Sequence, residues 1–212
     1  MTKIRAIVFD MDGVLIDAKD WHYEALNRAL NLFGFNISRY DHLVTFDGLP
    51  TRKKLEMLSR EQQLPPELHH FLNELKQCYT LETVHAKCKP RFQHEYAMSR
   101  LKADGYKLAV ASNSVRQSVE LMMEKSQLLP YLDAIVSNQD VVKPKPAPDI
   151  YRKAAEIMGV KTSECLVLED NPNGIASARA AGCPLMVVHE TSDVTYDRIL
   201  TEIKNCAKPA KS

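Results

Sequence analysis

Five short apolar runs alternate along this chain with amphipathic stretches, and this alternation constrains the fold more than any other feature. The runs cover residues 4–10, 107–112, 134–137, 165–169 and 185–188. They lack the polar alternation of a half-exposed strand, which is typical of strands buried on both faces of a parallel sheet. Helical patterns over residues 92–104, 115–126, 149–158 and 174–181 follow or separate the later runs. The sequence therefore predicts a three-layer α/β core with a parallel sheet.

The region between the first apolar run and residue 92 breaks this rhythm, because it shows no convincing strand pattern. Helical periodicity covers residues 21–33, 51–58 and 67–81 instead. A crossover between neighbouring parallel strands needs only about a dozen residues, so this insertion is too long for that purpose. We predict two domains, an α/β core of residues 1–16 and 84–212 and a helical cap of residues 17–83.

Composition excludes several classes of function. The chain has 28 lysine and arginine residues against 27 acidic ones, a formal net charge of +1. This balance gives no electrostatic reason to expect a nucleic acid or a membrane as partner. The five cysteines form no Cys-x-x-Cys pair, which favours reduced thiols. The first apolar run is too short for a signal peptide, so we expect a cytoplasmic protein that holds any anion at a local site.

Polar residues cluster where the predicted strands end, at the edge where open α/β sheets bind ligands. The clusters are Asp10 with Asp12, Ser112 with Asn113, a loop carrying Lys143 and Lys145, and Glu169 with Asp170. Each cluster alone has an ordinary explanation, because Asp, Ser and Asn cap helices and most lysines are solvated. Crowded carboxylates cost free energy unless a cation neutralises them. Their joint placement therefore indicates a functional site.

The four clusters also carry a family resemblance. Residues 10–17, Asp-Met-Asp-Gly-Val-Leu-Ile-Asp, resemble the first motif of the haloacid dehalogenase superfamily. Residues 110–113, 145–149 and 169–174 are similar to its second, third and fourth motifs, in the same order. The chain looks most like the helical-cap branch, which includes sugar-phosphate phosphatases and β-phosphoglucomutase. The resemblance implies a Rossmann-like core and a Mg²⁺-dependent phosphatase that acts on a small phosphorylated metabolite, such as a sugar phosphate.

The resemblance also implies roles for the acidic residues. Asp10 is the nucleophile that forms an aspartyl-phosphate, and Asp12 protonates the leaving oxygen and then activates water. Magnesium is bound by the Asp10 carboxylate, the Asp12 backbone carbonyl and Asp170. Glu169 lies near the metal and contacts it directly or through water.

Other residues of the motifs are expected to bind the phosphoryl group. Lys145 neutralises its charge, although Lys143 competes for this role because Pro144 stands where the family often has glycine. The predicted phosphate-binding residues of the core are Ser112, Asn113 and Gly13.

Two residues of the helical cap are candidates for substrate binding. His22 lies on an amphipathic helix, where it is either substrate-facing or an ordinary surface residue. Arg52 lies in a loop-to-helix segment. A similar segment in relatives holds a second phosphate or a sugar, and the Arg52 guanidinium is suited to bind oxyanions. Lys76 is expected on a solvated helix face.

Three alternatives to a phosphatase exist, and the residues argue against the last two. A phosphomutase related to β-phosphoglucomutase would keep water away from the aspartyl-phosphate. A receiver-type phosphoacceptor module would be shorter and would lack the cap. A dehalogenase would need neither Asp12 nor a metal. The sequence leaves the oligomeric state open.

Overall fold

The structure is a computed structural model that describes residues 3–46 and 48–207. Within these residues one parallel sheet has the strand order β3-β2-β1-β4-β5. The strands are β1 Ala6–Phe9, β2 Lys107–Ala111, β3 Ala134–Val136, β4 Cys165–Glu169 and β5 Leu185–Val187. The central strand, β1, pairs Val8 with Ala109 of β2 on one side and with Val167 of β4 on the other. The strand order reverses beside β1, which brings the residues that follow β1, β2 and β4 together at one edge.

Helices cover both faces of this sheet. Ala6 and Val8 pack in one apolar cluster with residues of the helices that follow β3 and β4. Ile7 and Phe9 point to the opposite face, because side chains alternate along a strand, and they are equally buried. The predicted three-layer α/β fold is therefore confirmed.

The inserted region is helical, as predicted. Its helices are α1 Lys19–Asn31, α2 Arg39–Asp41, α3 Thr51–Gln62 and α4 His69–Lys87, and a π-helical turn His42–Phe46 follows α2. One apolar cluster holds this region together and includes Leu26, Leu30, Leu58 and Leu72. Both α3 and α4 extend beyond the helical patterns over residues 51–58 and 67–81.

The core helices are α5 Phe92–Ala103, α6 Arg116–Lys125, α7 Asp149–Met158, α8 Pro172–Ala181 and α9 Tyr196–Cys206. The sequence patterns did not predict α9. Gly159 and Gly182 end α7 and α8 in the left-handed conformation that favours glycine. Among the described residues, no helix has the length and hydrophobicity needed to cross a membrane.

The chain divides into two compact units. One is the α/β unit, Met1–Asp17 with Lys89–Ser212, and the other is the helical unit, Ala18–Cys88. The helical unit ends later than the predicted residue 83, because α4 continues to Lys87 without a glycine or proline to stop it. Residues 1, 2, 47 and 208–212 of the predicted domains lie outside the described residues.

Candidate active site

Asp10 directly follows the central strand and is the most enclosed acid of the first motif. It is 8 % exposed, and its backbone N–H donates to Leu168 O at 2.9 Å. Burial raises the pKa of Asp10 well above its usual value, and the nearby Glu169 carboxylate raises it further. A carboxylate in such a position needs a compensating positive charge.

Lys145 supplies a positive charge at this point. Its Nζ donates to Asp10 Oδ1 at 2.6 Å, to Glu169 Oε1 at 2.6 Å and to the backbone oxygen of Ala111 at 2.8 Å. Burial alone would lower the pKa of Lys145, but the Asp10 and Glu169 carboxylates outweigh this effect and raise it. Lys145 therefore stays an ammonium. Of the two lysines in the loop, Lys143 is exposed and Lys145 meets Asp10.

The residues that follow β2 hold the lysine loop and line the same edge. The Asn113 side-chain amide donates to the backbone oxygen of Lys145 at 3.3 Å, and its oxygen accepts from the Lys145 N–H at 3.0 Å. Asn113 was predicted to bind phosphate. In the structure its side chain makes both of these hydrogen bonds to the backbone of Lys145 and so helps to hold the lysine loop in place. Ser112 is 1 % exposed, and its Oγ accepts from the N–H of Ser114 at 3.1 Å.

Asp12 is half-buried and is oriented by a residue that the sequence reasoning did not select. Ser114 Oγ donates to Asp12 Oδ2 at 3.2 Å. The next residue, Gly13, has a φ of 89° and donates its N–H to Ile16 O at 2.7 Å. Glycine is the residue that adopts this backbone conformation without strain. In this structure Gly13 therefore shapes the turn that presents Asp12.

Three carboxylates of the site could hold a metal ion. One oxygen each from Asp10, Glu169 and Asp170 lies within 4.8 Å of the others. Around an octahedral Mg²⁺, neighbouring ligand oxygens are about 3 Å apart and opposite ones about 4 Å. A small contraction of this group would produce such spacings. An all-oxygen set of acidic ligands fits Mg²⁺ better than a softer transition metal.

Both carboxylate oxygens of Glu169 accept hydrogen bonds. Glu169 is 1 % exposed, and its Oε1 accepts from Lys145 and from the hydroxyl of Tyr151. Its Oε2 accepts from the backbone N–H groups of Asp170 at 3.2 Å and Asn171 at 3.4 Å. Burial, followed by the Glu169 charge, raises the pKa of Tyr151 well above its usual value, so the hydroxyl remains a donor.

The ordinary explanations for these clusters as helix caps do not fit the structure. The N-cap of α8 is Asn171, and α6 begins after Val115. Neither Ser112 nor Glu169 occupies a cap position. Helix capping therefore does not explain why these two polar residues are buried, whereas a role in the site does.

The candidate residues of the helical unit have different surroundings. Arg52 Nε lies 3.1 Å from Glu56 Oε1 one turn along α3, and the Arg52 side chain is 87 % exposed. His22 is half-buried on α1, and its Nδ1 lies 3.2 Å from Lys76 Nζ. The expectation that Lys76 lies on a solvated face is wrong, because Lys76 is 6 % exposed. It belongs to the buried stripe of α4 that contains Leu72 and Val84.

Sequence reasoning missed Ser114, Tyr151 and Gly174. Ser114 and Gly174 lie within or beside the quoted motifs. The contact of Ser114 with Asp12 depends on the neighbouring strand, whereas Gly174 lies against Glu169 of its own motif. Tyr151 follows Asp149 by two residues, at a buried position of α7. A polar aromatic residue on the apolar face of that helix was the available signal.

Together, these features define an α/β enzyme site with clustered acids and one buried lysine at the carboxyl edge of a parallel sheet. The family model of the haloacid dehalogenase-like hydrolases matches residues 7–188, and the chain belongs to this family. The family and enzyme class predicted from the four motifs are thereby confirmed.

Three known proteins are similar to most of the chain. The phosphorylated carbohydrates phosphatase of Thermotoga maritima is 28 % identical over 195 residues, which cover 90 % of this chain and 88 % of the relative. Pyrophosphatase PpaX of Bacillus mycoides is 29 % identical over 202 residues, covering 89 % and 85 %. The crystal structure of β-phosphoglucomutase from Clostridium difficile has a TM-score of 0.83 at 19 % identity, covering 95 % of this chain and 98 % of that one. That similarity establishes the fold.

Proposed function

We propose that this protein is a Mg²⁺-dependent phosphatase that removes a phosphoryl group from a small organic phosphate through an aspartyl-phosphate on Asp10. The observation that carries the proposal is the ion cluster at the sheet edge. The buried ammonium of Lys145 lies there between the carboxylates of Asp10 and Glu169, and Asp170 belongs to the same cluster. Membership of the hydrolase family and the phosphatase relatives support the reaction class.

The residues at the sheet edge fit a magnesium ion. Asp10 and Asp170 would provide carboxylate ligands, and the backbone carbonyl of Asp12 would provide a third. Mg²⁺ would neutralise charge on the phosphoryl oxygens and reduce the repulsion between the clustered acids.

The first chemical step transfers the phosphoryl group to the enzyme. An oxygen of the Asp10 carboxylate attacks phosphorus, the bond from phosphorus to the substrate oxygen breaks, and that oxygen takes a proton from Asp12. Lys145 remains charged beside Asp10 and stabilises the negative charge on the transferring group. Ser112 would donate a hydrogen bond to the same oxygens, and Asn113 would hold the lysine loop.

The second step returns the enzyme to its starting state. Asp12, now a carboxylate, accepts a proton from a water molecule, and the resulting hydroxide attacks phosphorus. The bond between phosphorus and Asp10 breaks, which releases inorganic phosphate. The contact between Ser114 and Asp12 supports this role, because it orients the carboxylate that must serve as acid and then as base.

The substrate that we propose is a sugar phosphate. The support comes from the Thermotoga maritima relative, whose name is phosphorylated carbohydrates phosphatase. Within the helical unit, Arg52 and His22 are the proposed substrate-binding residues, since a guanidinium and an imidazole both suit anionic or hydroxylated groups.

The test is phosphate release from a panel of phosphorylated sugars, pyrophosphate and an aryl phosphate. The wild-type enzyme should release phosphate with Mg²⁺, lose activity with a chelator and recover when Mg²⁺ is added in excess. Asp10→Asn should lower turnover on the order of 10³-fold or more without loss of folding. Asp197→Asn, which changes an exposed acid of α9, is the matched control and should behave like wild type.

Three results would contradict the proposal. Asp10→Asn activity within about tenfold of wild type would exclude the nucleophile. Isomerisation of β-glucose 1-phosphate with negligible phosphate release would favour the phosphomutase. Cleavage of a haloacid without Mg²⁺ would favour the dehalogenase.

A further inference from the structure

Tyr151 is a buried polar residue that the proposed reaction does not use. It is 0 % exposed on α7, and it belongs to the apolar cluster that also contains Val8 and Val167. Phenylalanine would fill nearly the same volume there without a hydroxyl. A buried hydroxyl costs free energy unless it is hydrogen-bonded, so the packing of α7 does not explain a tyrosine at this position.

The Tyr151 hydroxyl completes the bonding of Glu169. A carboxylate has about four lone-pair sites on its two oxygens. Lys145 and Tyr151 donate to Oε1, and the backbone N–H groups of Asp170 and Asn171 donate to Oε2. These four donors together fix the orientation of the Glu169 carboxylate.

The backbone of α8 closes the remaining side of the Glu169 carboxylate. A Cβ atom added at Gly174 would overlap both oxygens of Glu169 and its Cδ. Gly174 is not among the glycines with a positive φ. An alanine at this position would therefore clash with the Glu169 carboxylate but would not strain the backbone. The carboxylate is held by donors and by steric contact together.

We propose that Tyr151 is a positioning residue that fixes the Glu169 carboxylate and, through it, the Lys145 ammonium. Glu169 Oε1 and Asp10 Oδ1 both lie 2.6 Å from Lys145 Nζ. The Tyr151 hydroxyl fixes the first of these oxygens. The position of the ammonium relative to the nucleophile therefore depends on a hydroxyl that touches neither substrate nor metal.

This inference rests on the proposed phosphatase function, and it predicts a specific kinetic effect. Without the hydroxyl, Glu169 can rotate and Lys145 can leave its position against Asp10. Lys145 stabilises charge that develops during phosphoryl transfer, so the loss should appear in kcat more than in KM.

The experiment compares Tyr151→Phe with Tyr131→Phe. Both substitutions delete a hydroxyl that contacts a glutamate, since Tyr131 OH lies 3.4 Å from Glu95 Oε1 outside the site. For Tyr151→Phe we expect kcat to fall about 10- to 100-fold, as for other residues that orient a catalytic group. KM and the Mg²⁺ affinity measured by calorimetry should change less than about threefold. Tyr131→Phe should match wild type in every readout.

Gly174→Ala provides a second variant that keeps the tyrosine. Its methyl group should displace the Glu169 carboxylate, so kcat should fall in the same range as for Tyr151→Phe, again about 10- to 100-fold. The substitution places a better helix former in α8, so a general loss of helix stability is not the expected cause.

Two results would overturn the inference. One is a Tyr151→Phe enzyme with kcat within about twofold of wild type. The other is a crystal structure of metal-free Tyr151→Phe in which Lys145 Nζ keeps its hydrogen bond to Asp10 Oδ1, whereas we expect that bond to be lost. The crystal structure decides the inference even if the wild-type enzyme releases no phosphate, a result that would instead refute the proposed function.

Discussion

Lys145 of the α/β unit and Lys76 of the helical unit are both buried, but in different surroundings. Lys145 is 5 % exposed and donates to two carboxylates and a backbone oxygen. Lys76 is 6 % exposed and lies beside the imidazole of His22 on a stripe of apolar residues. Lys145 belongs to one of four sequence motifs, and their joint occurrence indicated its role. Lys76 belongs to α4, whose helical periodicity indicates which face is buried but does not indicate that a lysine lies on that face.

Because of this difference, variants in the two units should affect different properties. Residues around Asp10 should govern phosphoryl transfer, and the apolar residues of the helical unit should govern folding. The following substitutions test that division, beginning with the largest expected effect.

Lys145→Met should have the largest effect. Loss of the ammonium leaves the Asp10 and Glu169 carboxylates buried without their shared cation. We expect phosphate release to fall about 10²- to 10³-fold or more. The free energy of unfolding should fall by about 3–5 kcal/mol, because one partner of a buried ion pair is missing. Activity assays and denaturant unfolding measure the two effects.

Lys143→Met is the control, because Lys143 lies in the same loop and is exposed. It should leave both quantities near the wild-type values. Equal losses in the two variants would mean that the loop as a whole, and not the buried ammonium, is responsible.

Leu72→Ala should destabilise the helical unit. Leu72 is fully buried in the cluster that includes Leu30 and Leu58. Truncation of a buried leucine costs about 2–5 kcal/mol. Thermal unfolding should therefore begin at a lower temperature, while kcat of the folded enzyme for an aryl phosphate stays close to wild type.

The control for that variant is Leu32→Ala, since Leu32 is 64 % exposed. Its unfolding should resemble that of the wild type. A large loss of kcat in folded Leu72→Ala would contradict the division between chemistry and packing.

Arg52→Ala should have the smallest effect. The Arg52 side chain is exposed and pairs with Glu56 one turn along α3, and such surface pairs contribute little to stability. Unfolding and aryl phosphate turnover should be unchanged. A rise in KM should appear only for substrates with a second anionic group, so an equal rise for all substrates would argue against substrate binding by Arg52.

Much of the fold could be predicted because strands buried on both faces must be apolar. The predicted runs ending at Asp10, Ser112 and Glu169 correspond to β1, β2 and β4, within one residue at their carboxyl ends. Helix α9 was missed because it follows the last strand, where no later apolar run marks it as part of the alternation. The extra turns of α3 and α4 were missed because the periodic pattern weakens before the helices end.

The membership of the candidate site was more predictable than its contacts. Asp10, Asp12, Ser112, Lys145, Glu169 and Asp170 were selected because several residue types had to occur together at strand ends. The contacts of Asn113 with the Lys145 backbone, of Ser114 with Asp12 and of Tyr151 with Glu169 join residues far apart in sequence. Such contacts depend on the register and packing of the sheet, which local patterns do not specify.

The most direct test of the central claim is to trap the phosphorylated enzyme. Wild-type protein is mixed with Mg²⁺ and a substrate found in the panel, quenched in acid during turnover, and analysed by peptide mass spectrometry. We predict one phosphoryl group on the peptide that contains Asp10, and none on that peptide from Asp10→Asn. Steady phosphate release without a phosphoryl group on Asp10, or with the group on another residue, would contradict the account.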